Sequence, residues 1–199
     1  NTEGGTRPCL WRQNIESGWD ELLLKTRPFT SDGKVLAIND RGIAGGYTEV
    51  FLGEKPTRLP CLWLPGEKGT YEQMPVVLPV SDLAMGAAVL DLNVAGQAVG
   101  YYVDQSDQLH ACRWEIDPPR FIDLKTEGMA TSINSVGIAV GHGEEGCFLW
   151  QGAERLSLKE VTGSVELASV FGISAFADLL GEDQDGRRVL AEPQSLRKW

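Results

Sequence analysis

The chain has 199 residues, 42% of them hydrophobic and 23% charged, enough to bury one core or one array of repeats. Its 28 acidic against 18 basic residues give a net charge of −10, which disfavours phosphate backbones and anionic lipid and suits a basic partner or a cation. No apolar run reaches the length of a membrane-spanning helix, and no signal peptide is seen, but the opening at Asn1 rather than Met leaves a removed or omitted leader open.

Taken in order, residues 7–24 form a hairpin opened by Cys9-Leu10-Trp11. Residues 35–48 then give a different hairpin, turning at Asn39-Asp40-Arg41-Gly42, and the strand ending Cys61-Leu62-Trp63 starts a second one. The same two-hairpin unit returns at 88–102, turning at Asn93-Val94-Ala95-Gly96, with the strand His110-Ala111-Cys112-Arg113-Trp114 and its partner around 121–124. It returns again at 130–142, turning at Asn134-Ser135-Val136-Gly137, with Cys147-Phe148-Leu149-Trp150 and a partner at 156–158. A more worn copy covers 169–182, turning at Ser174-Ala175-Phe176-Ala177, with the strand 188–191.

The Asn or Ser positions 39, 93, 134 and 174 lie 54, 41 and 40 residues apart. A period near 40 built from short strands and glycine turns implies propeller-type units. In each turn the Asn folds back on the turn backbone and the Gly three residues later takes positive φ, giving a type I turn with a Gly bulge. The expected fold is therefore all-β: one domain over 1–199, a small β-propeller of four to five blades made from four-stranded repeats of roughly 40–50 residues. The opening hairpin either completes the ring with the C-terminal strands or belongs to a blade whose first half is missing.

The aromatic slot filled by Trp11, Trp63, Trp114 and Trp150 reads as core. Cys9, Cys61 and Cys112, each two residues before a Trp, read as small buried apolar residues, and a reduced, cytoplasmic setting fits them. Phe148 takes the Cys112 slot in its copy, so Cys147 should face the opposite way. Trp19 and Trp199 fall outside the slot and are candidates for exposure.

Catalytic patterns are missing. No nucleophile elbow, phosphate-cradling loop, paired-His zinc motif or Cys-x-x-Cys occurs, and neither His110 nor His142 has a carboxylate or nucleophile motif beside it in sequence. A non-enzymatic chain without cofactor is expected. Residues 181–186 with Glu192 echo a calcium loop, but Gly181 offers no side-chain oxygen at the first ligand position, so a plain acidic turn is preferred and no metal is assigned.

The sharper signal is acidic. The loops between the two hairpins of each unit carry Glu49 and Glu54, Asp104 and Asp107, Glu144 and Glu145, then Glu182, Asp183 and Asp185, with Lys55 as the one base at the tips. In four-stranded blades these loops share one rim. The residues closing each first hairpin, Tyr47, Tyr101, His142 and Glu182, belong near it. An acidic rim with aromatic groups is a docking surface for a basic protein.

The combination of Ile-Asn-x-x-Gly-x-apolar-x-Gly with a His-Ala-Phe-Leu-Trp-like strand, best over 88–150, resembles the HAF repeat, a bacterial propeller-type repeat. The departures are Cys for Phe in three copies and Ser174 for the last Asn. The resemblance implies the fold, and through the family's usual setting an exported protein. In size and charge the chain is also similar to bacterial immunity proteins that neutralise cationic nuclease toxins. Two functions are thus expected in competition: a cytoplasmic inhibitor-like binder of a basic protein, monomeric apart from that partner, or an exported glycan- or calcium-binding module.

Overall fold

In the computed structural model, which describes residues 6–16, 18–27, 30–51, 55–152, 154–162 and 166–191, the alternating segments become seventeen strands in five antiparallel sheets. The first sheet is the hairpin of β1 (Cys9–Asn14) and β2 (Gly18–Leu23). The second orders β3 (Thr30–Ile38), β4 (Ala44–Phe51), β5 (Pro56–Trp63) and β6 (Val76–Val77). The third orders β7 (Gly86–Leu92), β8 (Gln97–Val103), β9 (Leu109–Ile116) and β10 (Pro119–Glu127). The fourth holds β11 (Met129–Ile133), β12 (Ile138–Gly143), β13 (Gly146–Gln151) and β14 (Glu154–Ser157), followed by the short helix α1 (Leu158–Thr162). The fifth holds β15 (Leu167–Ile173), β16 (Leu179–Asp183) and β17 (Arg188–Ala191). The chain is all-β, and every sheet is a meander in which neighbours in sequence are neighbours in space.

The two glycines of the repeat have separate causes. The turn glycines Gly42, Gly96 and Gly137 sit at φ of 75°, 86° and 86°, and in the fourth copy Ala177 is held at 67° despite its Cβ. The second glycine faces a bulge. In β3, β7, β11 and β15 the register slips by one residue, at Leu36, Leu90, Thr131 and Phe171. The residue across from each slip is Gly46, Gly100, Gly141 or Gly181, where a Cβ would overlap the backbone carbonyl oxygen of Lys34, Ala88, Met129 or Ser169. Glycine there is a matter of room.

The repeated asparagine does two jobs. Its Oδ1 accepts from its own turn: Ile43 N–H at 3.1 Å for Asn39, Gln97 N–H at 3.0 Å for Asn93, Ile138 N–H at 2.9 Å for Asn134. Its Nδ2 donates onward to the next sheet. Asn39 reaches the Asn93 carbonyl at 2.9 Å, Asn93 the Asn134 carbonyl at 3.0 Å, and Asn134 the Ser174 carbonyl at 3.2 Å. A ladder of amides therefore ties four sheets at one edge. Ser174 keeps the first job, accepting from Phe176 and Asp178 N–H at 3.2 and 3.0 Å, but a hydroxyl has no amide to pass forward.

Successive sheets share apolar interfaces. Leu10 and Leu22 pack with Cys61, Trp63 and Tyr71; Leu62 packs with Val89, Ala98 and Trp114; Val99 packs with Ala139, Phe148 and Trp150; Val140 and Leu149 pack with Val170 and Leu179. Trp63, Trp114 and Trp150 are buried as expected. The indole N–H of Trp63 donates to the Lys25 carbonyl at 2.8 Å and that of Trp114 to Pro79 at 2.7 Å, both on the segment leading into their own sheet. Before the fourth sheet that segment shrinks to Gly128, and the Trp150 indole N–H is buried without a partner.

Trp11 departs from the core expectation. It is 61% exposed, because no described sheet covers its side of the opening hairpin. Cys9 is likewise only half-buried, whereas Cys61, Cys112 and Cys147 are buried and all four thiols are free. Cys147 and Phe148 do face opposite ways, Cys147 toward the fifth sheet and Phe148 toward the third.

Burial pushes the thiol of Cys61 up to about 12 and that of Cys147 to about 11, and lifts Cys112 well above its ordinary value. At pH 8 a thiol-exchange reagent should therefore react with the folded chain at Cys9 alone, and with all four cysteines after unfolding. Rapid reaction of the buried three without unfolding would contradict this packing.

Candidate docking edge

The amide ladder fixes one edge of the array, so the far ends of the middle strands β4, β8, β12 and β16 lie at the opposite edge. There the chain makes its second turns. Asp104 N–H bonds to the Gln108 carbonyl at 3.0 Å while Asp104 Oδ1 accepts from Ser106 and Gln108 N–H at 2.7 and 3.0 Å. Asp183 repeats the device, accepting from Asp185 and Arg187 N–H at 2.9 and 2.8 Å. These two acids build their turns. The carboxyl of Asp104 is held below its usual range by the Gln108 amide first and by His110 next.

Asp183 Oδ1 is thus turned to backbone amides, and Asp185 meets the Arg187 guanidinium at 3.2 Å. Among the described residues no group of three or more His, Cys, Asp or Glu could hold a metal ion. Glu192 and Trp199 lie outside the described residues, as does Glu54.

The rim is less one-signed than its loops read in sequence. Glu49 meets Arg58 at 3.1 Å and Glu145 meets Arg155 at 3.4 Å. Arg58 and Arg155 come from the strands beside the loops, and their guanidinium groups lie 4.6 Å over the Tyr47 ring and 4.7 Å over the Phe148 ring. Pairing in a hairpin was the available signal: with Gly46 across from Cys61, three residues outward on each strand set Glu49 opposite Arg58. The exposed Glu145–Arg155 pair contributes only about 0–1 kcal/mol. Asp107, Glu144 and Glu182 form no ion pair among the described residues, and Asp107 and Glu144 are exposed.

The residues closing the first hairpins are placed deeper than a docking surface requires. Tyr47 and Tyr101 are buried around Ala88, with Leu90 and Met129 against them. His142 is half-buried with Nδ1 3.3 Å from the Val170 carbonyl oxygen, and Glu182 is half-buried. Tyr101 still reaches the rim through its hydroxyl, which accepts from Arg58 Nη1 at 2.9 Å. Burial alone would lower the Arg58 pKa, but the bonds to Tyr101 and Glu49 raise it, so the cation is fixed. Beside it a groove of about 440 Å³ opens between the second and third sheets, lined by Arg58, Tyr101, Met85, Val103 and Asp107 among others.

One pairing was invisible in sequence. The fold brings Asp104 to His110, with Oδ2 3.1 Å from Nε2, and stacks Tyr102 on the imidazole at a centroid distance of 4.9 Å. Burial pushes the Tyr102 hydroxyl up to about 12, and it donates to Asp123 at 3.3 Å. The imidazole is clamped between a turn carboxylate and an aromatic ring. Comparison with family models, curated proteins and solved structures finds no match to this chain.

Proposed function

We propose that the chain is a non-enzymatic, protein-binding repeat domain of the propeller type, its sheets serving as four or five blades according to whether the opening hairpin is counted. Its turn edge docks on a basic partner protein. The observation that carries this reading is the recurrence of acid on one edge in every described second turn, including Asp107, Glu144 and Glu182, which have no cationic partner among the described residues. A net charge of −10 extends the same field over the molecule, and such a field speeds encounter with a cationic surface. The groove beside Tyr101 gives the partner a place to seat an apolar side chain. A partner docked there through its own cationic site is occluded, as when an immunity-type protein neutralises a nuclease toxin. The four free thiols favour a reducing, cytoplasmic setting.

The test uses acids that hold no turn together. Capture of a basic protein by the chain should weaken as salt rises, and Glu144→Lys with Asp107→Asn should slow association by roughly tenfold while leaving thermal stability unchanged. Binding that ignores both salt and these two substitutions would exclude the acidic edge as the docking surface.

A further inference from the structure

One interface recurs between successive sheets, and each of its halves is exposed at one end of the described residues. The outgoing face of the fourth sheet carries the cross-strand pair Val140 and Leu149, fully buried under the fifth sheet. The incoming face of each middle sheet presents the slot tryptophan, Trp63, Trp114 or Trp150, buried against what precedes it. In the fifth sheet the pair at the Val140 and Leu149 positions, counted from the glycine opposite the bulge, is Leu180 and Leu190. They are 46% and 69% exposed. In the first sheet the slot residue is Trp11, and beside it Trp19 and Leu23 are 62% and 55% exposed. Leu10 and Leu22 pack on the second sheet, so strand alternation turns Trp11 and Leu23 to the other side.

We infer that these two faces bind each other between copies of the chain, the opening hairpin of one packing on the last sheet of another. The chain thereby repeats between molecules the contact it makes four times within itself. Trp11, Trp19 and Leu23 share one face of the opening hairpin, and Leu180 and Leu190 are cross-strand partners on the last sheet, so each end clusters its exposed apolar side chains. Among the described residues both faces are open to solvent at once. The two faces differ, so the contact is head-to-tail and each added copy leaves one free face of each kind. This departs from the monomer expected from sequence and does not involve the acidic edge.

The experiment is sedimentation velocity on the whole chain from low to high micromolar concentration, for wild type, Trp11→Glu, Leu190→Glu and an equimolar mixture of the two variants. The wild type should gain mass with concentration, and each variant alone should lose association by at least tenfold, as hot-spot truncations do. The mixture should form a dimer and nothing larger, because Trp11→Glu keeps its last sheet and Leu190→Glu keeps its opening hairpin. A wild type that stays monomeric throughout overturns the inference. So does either variant assembling like wild type, or a mixture that remains monomeric while both variants show native circular dichroism.

Discussion

Gly100→Ala should destabilise the chain by about 3 kcal/mol or more, lowering its melting temperature by roughly 10 °C if it folds at all. The added methyl has nowhere to go. It would overlap the Ala88 carbonyl oxygen, with the Ala88 carbonyl carbon at 3.0 Å and the Leu90 amide nitrogen at 3.2 Å, all backbone of the bulge in β7. A flexible side chain could swing away, but a bulged strand held by ladder bonds on one side and packed on its neighbours cannot. Gly46→Ala and Gly141→Ala meet the same obstacle at Lys34 and Met129 and should behave alike. Gly96→Ala is the control. It has open space around its Cβ position and a φ of +86°, so only the left-handed backbone is penalised, by about 1–2 kcal/mol. Thermal melts of these four variants separate the two reasons for glycine; equal losses at Gly96 and Gly100 would mean that the close approach is not what selects glycine.

Asn93→Ala should cost about 2–4 kcal/mol, the second largest effect. Asn93 is buried, its Oδ1 holds the Gln97 amide, and its Nδ2 is shared between Gln97 Oε1 at 2.9 Å and the Asn134 carbonyl at 3.0 Å. Alanine strands polar groups on both sides of a sheet boundary. Asn93→Ser should lose about half as much, since Ser174 shows that a hydroxyl still closes this turn. Asn93→Asp should be worse than serine despite its shape, because a carboxylate aims an acceptor at the Asn134 carbonyl. Ser174→Asn should change little, with no further described sheet to receive its amide. Urea unfolding of the four variants gives the order directly, and an aspartate as stable as serine would contradict the onward donation.

What could be read in the sequence was what local backbone demands. Asn39, Asn93 and Asn134 with their glycines mark the turns because a type I turn with a Gly bulge needs those side chains at that spacing. Cys147 could be oriented from Phe148 because strand alternation is strict. Missed features depended on neighbours across space. Trp11 matches the core slot in sequence, yet a slot is buried only if another sheet covers it. Tyr47 and Tyr101 seemed fit for a rim, but each directly follows the glycine opposite a bulge, and the bulge draws it in among Ala88, Leu90 and Met129. The onward half of the asparagine's role, and the meeting of His110 with Asp104, likewise need the three-dimensional array.

The docking edge itself is tested most directly by amide hydrogen exchange, with and without a captured basic protein. The account predicts slowed exchange in the second turns at residues 104–108, 144–146 and 183–187, with the asparagine turns at 40–42, 94–96 and 135–137 unchanged. Protection confined to the asparagine turns would place the partner on the opposite edge and contradict it.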